Sequence, residues 1–219
     1  MKNITAFLLP GVGCDYRIFE RLNLPWPTKH VKWPKAYHGE TLEHFSRRVA
    51  EQIDDPANTV VIGVSFGGMV AAELSNLINP AATVIISSVK NSKEIPGWIK
   101  FLRFTRLHRL VSSKFVASFN FWTGWALGCG SSKDKGMIRQ MVKCMDGDFN
   151  DWAVDALMSW DFNGPIGKVL HIHGTDDKLF PSEKIDGCVF IEEGSHSIVF
   201  KQGGKVSELI KIHLADLVS

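Results

Sequence analysis

Three short segments of this chain carry residue types that together can run nucleophilic acyl chemistry. The first, Val60-Val61-Ile62-Gly63-Val64-Ser65-Phe66-Gly67-Gly68, sets a serine between glycines in the pattern G-x-S-x-G, after a β-branched run and before an Ala- and Leu-rich one. A sharp strand-to-helix turn there forces Ser65 into a strained backbone conformation. Gly63 and Gly67 remove the side chains that would clash, and Gly68 lets the helix pack closely on the sheet. The same turn puts Ser65 at a helix N-terminus, where free N–H groups and the dipole favour a developing oxyanion. A serine hydroxyl is a poor nucleophile at neutral pH and needs a base, usually a histidine oriented by a carboxylate. The second segment, His173-Gly174-Thr175-Asp176-Asp177-Lys178-Leu179-Phe180-Pro181, offers two acids, and the third, Glu192-Glu193-Gly194-Ser195-His196-Ser197, offers His196. Taken singly, each also reads as an ordinary turn, since Gly, Ser and Asp are common in loops.

The elements that must position these residues can be read from hydrophobic periodicity. Apolar, partly β-branched runs at 4–9, 59–62, 83–86, 169–172 and 189–191 read as buried strands, with a weaker candidate at 30–33. Thr41 is placed to cap a helix carrying Leu42, Phe45, Val49 and Ile53 on one face. Residues 69–78 are helical in pattern and stopped by Asn79-Pro80, and a short helix is expected over 16–22. Val206, Leu209, Ile210, His213, Leu214 and Leu217 recur at helical spacing near the end. Strands alternating with helices predict an α/β fold, a mostly parallel, doubly wound sheet of about six strands. The acid and histidine segments each begin just past the C-terminal end of a strand, the edge where sites assemble in open parallel sheets.

With those residues in view, the chain resembles the α/β-hydrolase superfamily over nearly its whole length. The resemblance rests on the G-x-S-x-G around Ser65, on H-G-x-x-D-x-x-x-P at His173, Gly174, Asp177 and Pro181, and on G-x-H at Gly194 and His196. It implies a triad of Ser65, Asp177 and His196 in the superfamily's order, with Asp177 rather than Asp176 as the acid. Leu8-Leu9-Pro10-Gly11-Val12-Gly13 is similar to the superfamily's H-G-x loop, which implies that the backbone amides of Val12 and Phe66 form the oxyanion hole. Pro10 departs from the histidine often found there; because the donor is a backbone amide, the departure touches only local loop packing. The implied activity is that of a short bacterial, carboxylesterase-like serine hydrolase acting on a small-molecule ester or thioester. No metal or organic cofactor is needed for that chemistry. His171 and His173 with Asp176 suggest a metal cluster only at first sight, because both histidines belong to a strand end.

A block at about 89–160 breaks the pattern. It is poor in β-branched runs and rich in aromatics, among them Trp98, Phe101, Phe115, Phe119, Trp122, Trp125, Phe149, Trp152 and Trp160, and reads as a helical cap inserted into a single domain spanning 1–219. Its basic residues Lys93, Lys100, Arg103, Arg106 and Arg109 read as a solvated helix face. A net charge of +2 is too small to argue for nucleic acid. Four scattered cysteines (Cys14, Cys129, Cys144 and Cys188) show no metal-ligand or CxxC spacing and suit a reducing compartment. No run reaches the roughly 18 apolar residues of a membrane span, and the expected location is cytoplasmic. Oligomeric state is not legible. Two other functions fit the same fold: a ligand-binding or signalling protein that turns over little, and an acyltransferase that passes the acyl group to an alcohol or thiol.

Overall fold

The computed structural model describes residues 3–99, 101, 136–137, 139–141 and 146–217. Among them, six strands form one all-parallel sheet: β1 Thr5–Leu9, β2 Thr28–His30, β3 Thr59–Val64, β4 Ala82–Ile86, β5 Val169–Gly174 and β6 Val189–Ile191, in the order β2-β1-β3-β4-β5-β6. Parallel neighbours cannot be joined by tight hairpins, so each connection crosses a face of the sheet. Helices among the described residues include α1 Leu42–Ala50, α2 Phe66–Ile78, α3 Gly147–Ser159, α4 Ile198–Lys201 and α5 Gly203–His213.

Alternation along the strands decides which helix each face receives. Phe7, Leu9, Val61 and Ile85 pack with Phe45 and Val49 of α1, Met69 and Leu74 of α2, and Phe149 and Ala153 of α3. Ala6, Leu8, Ile62, Val84, Ile86 and Ile172 point the other way, against Val199 of α4 and Val206 and Ile210 of α5. Every residue of β3 is buried, as a central strand covered on both faces must be.

The helix ends follow from local chemistry. The Thr41 hydroxyl accepts the His44 amide at 3.2 Å and caps α1. Asn79 ends α2 in the left-handed region at φ 44°, and Pro80 cannot extend it. Three expectations shift. The weak strand at 30–33 lies instead at Thr28–His30, an exposed edge whose polar residues give no apolar signal; Val31 and Trp33 pack on the core from the loop beyond it. The helix over 16–22 is a 3-10 turn at Tyr16–Phe19. The helix expected at 69–78 begins at Phe66, because the glycine turn is itself its first turn. Most of the 89–160 block, including Lys100, Arg103, Arg106 and Arg109 of its basic stretch, lies outside the described residues. Among the described residues no helix is long and apolar enough to cross a membrane.

Phe45 is fully buried, with its ring centroid 4.3 Å from that of Trp152 and 5.8 Å from that of Trp33. Phe45→Ala is expected to cost about 3–5 kcal/mol, seen as a lower urea midpoint with an unchanged slope.

Candidate active site

Ser65 sits between the end of β3 and the start of α2 with φ 53° and ψ −121°, a region that a residue with a side chain holds only when its surroundings over-determine it. The surroundings do so. A Cβ on Gly63 would lie 2.1 Å from the Gly67 carbonyl oxygen, and one on Gly67 would lie 2.1 Å from that of Leu9. Only hydrogens fit in those spaces. The Ser65 amide donates to the Ile86 carbonyl at 3.0 Å, and the Ser65 carbonyl accepts the Gly68 amide at 2.8 Å and the Ser88 hydroxyl at 2.6 Å. As the first residue of α2, Phe66 presents one of the amides that a helix leaves without an intrahelical acceptor. The loop after β1 lies against this turn: a Cβ on Gly11 would stand 3.1 Å from the Ser65 Cβ. Val12 is the next residue.

The other two residues arrive from β5 and β6. A Cβ on Gly174 would lie 2.2 Å from the Gly194 carbonyl oxygen, so the two loops touch backbone to backbone. Asp177 and His196 are 3% and 4% exposed. The His196 Nδ1–H donates to Asp177 Oδ2 at 2.8 Å, which leaves Nε2 as the acceptor facing Ser65 Oγ at 3.0 Å. The neighbouring Asp176 is exposed, and its backbone amide donates to the Gly194 carbonyl at 2.8 Å. Asp177 Oδ1 also accepts the Leu179 and Phe180 amides at 2.8 and 3.0 Å. Burial pushes the Asp177 carboxyl up, but His196, the Phe180 amide and His173 outweigh it and hold the group below the usual carboxylate range. It is therefore ionised, and a serine, an imidazole and a carboxylate stand in line at the C-terminal edge of the sheet.

No family model and no curated protein matches the sequence itself. Solved structures match over nearly the full length. MenH from S. aureus is 15% identical, with 100% of this chain and 96% of that one covered and a TM-score of 0.73. A thermophilic esterase from Thermogutta terrifontis, malate bound, is 15% identical, covered at 99% and 91%, with a TM-score of 0.73. An esterase from Exiguobacterium antarcticum is 15% identical, covered at 99% and 92%, with a TM-score of 0.70. The chain has the α/β-hydrolase fold. At such identities the likeness speaks for the fold, and the site rests on its own geometry.

Residues around this candidate site have partners that sequence alone does not reveal. Ser88, fully buried, holds the Ser65 carbonyl and also packs where a Cβ on Gly68 would come within 2.5 Å of its own. His171 and His173 are both buried, and each donates from Nε2 to a backbone carbonyl, that of Ser88 at 3.0 Å and that of Phe180 at 2.8 Å. Among the described residues no group of three His, Cys, Asp or Glu gathers as metal ligands.

Burial, with lesser contributions from His173 and Lys90, drives His171 down to about 3 against the bond to Ser88. An unfolded histidine takes up a proton below a pH of about 6.5, whereas the folded one does so only near 3. Stability from this group is thus complete above the unfolded value and is lost as pH falls toward the folded one. His171→Gln, which keeps a donor and removes the titration, is expected to flatten the pH dependence of the unfolding free energy from urea titration below a pH of about 6, by up to one proton or about 1.4 kcal/mol per pH unit.

Proposed function

We propose that the chain is a serine hydrolase that cleaves a small ester or thioester through an acyl-enzyme on Ser65. The observation that carries this reading is the continuous hydrogen-bond line from Asp177 through His196 to Ser65. In this mechanism Nε2 of His196 takes the Ser65 proton as Oγ attacks the substrate carbonyl carbon. The tetrahedral oxyanion is held by the amides of Val12 and Phe66, donors of a kind worth about 3–4 kcal/mol each. Asp177 fixes the His196 tautomer and stabilises the imidazolium without taking its proton. His196 then protonates the leaving alcohol or thiol. Water, deprotonated by the same Nε2, attacks the acyl-enzyme and releases the acid and the free serine. The steps call for no metal or organic cofactor.

The ester preference is supported by two of the solved structures named above, which are described as esterases. The block at 89–160 is proposed as a helical cap inserted between β4 and β5 that selects the acyl group. Its described part reaches the site through α3, whose Phe149 and Trp152 meet the Phe66 ring edge-on at 6.1 and 5.9 Å between centroids.

A fluorescent fluorophosphonate is expected to label the purified protein and not its Ser65→Ala variant. On a panel of short-chain esters, Ser65→Ala should lose at least about 10⁴-fold in kcat, and Asp177→Asn about 10⁴-fold with KM little changed. A folded wild type that stays unlabelled would sink the hydrolase reading in favour of a ligand-binding role.

A further inference from the structure

Asp177 is approached by two histidines, not one. His196 donates to its Oδ2 at 2.8 Å, and Nε2 of His173 lies 3.5 Å from the same oxygen. His173 is fully buried and does not turn its proton to the carboxylate: its Nε2–H goes to the Phe180 carbonyl at 2.8 Å, while its Nδ1 is buried with no hydrogen-bond partner among the described residues. The Phe180 amide in turn donates to Asp177 Oδ1 at 3.0 Å. Phe180 is therefore gripped at both ends, by His173 at its carbonyl and by Asp177 at its amide. Its buried ring lies 5.7 Å from the His196 imidazole between centroids.

We infer that His173 is a positioning residue: by holding the Phe180 carbonyl it fixes the turn whose amides aim the Asp177 carboxylate at His196. The inference rests on the proposed triad and goes beyond it. The arrangement also solves an electrostatic problem. A protonated His173 so close to Oδ2 would compete with the His196 imidazolium for a single carboxylate in a site of low dielectric. Burial pushes the His173 pKa down, against the pull of Asp177, the Phe180 carbonyl and, more weakly, Glu94. The ring stays neutral, and the charge of Asp177 is left to His196. The unpartnered Nδ1 fits that tautomer, since a buried imidazolium would need an acceptor on both nitrogens.

Two polar replacements separate this role from simple packing. Glutamine sets its amide nitrogen near the place of Nε2, and asparagine sets it near Nδ1, out of reach of the Phe180 carbonyl. The first readout is the downfield proton NMR signal of the His196 Nδ1–H; the second is the fluorophosphonate labelling rate of Ser65. His173→Gln is expected to keep both near wild type. His173→Asn should broaden or lose the signal and slow labelling about 10- to 100-fold while its thermal melt stays cooperative. Should His173→Asn fail to fold, His173→Leu, of similar volume and without a donor, takes its place with the same expectation. The inference is overturned if the folded donor-less variant keeps signal and rate, if glutamine loses them equally, or if wild type lacks the signal. A wild type that shows the signal without labelling at Ser65 defeats the hydrolase reading alone, and the signal in the variants still decides the role of His173.

Discussion

The site depends on a backbone contact that leaves no room for a β-carbon. Strand β3 and helix α2 meet at Ser65 so closely that Gly63 faces the Gly67 carbonyl and Gly67 faces the Leu9 carbonyl at distances no side chain could share. That contact forces the left-handed backbone of Ser65, and the strain cannot relax locally. β3 is paired with β1 on one side and β4 on the other, its residues are all buried, and α2 is buried from Phe66 through Ser75. Releasing Ser65 would mean unpacking two layers of the molecule, so the hydroxyl is held at the sheet edge by the core as a whole.

A second contact of the same kind sets the electrostatics. Gly174 and Gly194 bring the loops after β5 and β6 together, and only then do the Asp177 carboxylate and the His196 ring come within 2.8 Å. A carboxylate almost out of water would ordinarily be driven toward its neutral form. Asp177 escapes this because two amides and one imidazole donate to it. Fixed donors thus replace the water that burial removes, and they hold the histidine in one tautomer at no cost of reorganisation during a reaction.

Phe66 joins the site to the rest of the core. Its amide stands at the start of α2 beside Ser65, and its ring is fully buried within reach of Trp33, Phe149 and Trp152. The Trp152 indole N–H donates to the Glu40 carbonyl just ahead of α1. The aromatic cluster therefore ties α1, α2 and α3 to one residue of the turn, and repacking of α3 would be felt at the Phe66 amide.

Much of this was legible in the residue order. Buried strands announce themselves because β-branched apolar runs have few other uses, and five of the six were evident in this way. The glycine spacing around Ser65 is equally plain, because a strained turn tolerates few alternatives. Edge strand β2 was misplaced since an exposed polar strand has no apolar pattern to read. The choice of Asp177 over Asp176 came from a resemblance and not from spacing. In the structure the two adjacent carboxylates have opposite fates: one is buried against His196 and the other is exposed. The roles of Ser88 and His171 could not be assigned from sequence, because their partners are backbone atoms of other segments, and the motif that contains His173 does not say which atom it holds. Local pattern determines where strands end and where the chain must turn sharply. Which polar atoms then meet is decided only when the parallel sheet brings the ends of β3, β4, β5 and β6 side by side, since hydrogen bonds are short and directional and depend on positions that distant parts of the chain supply.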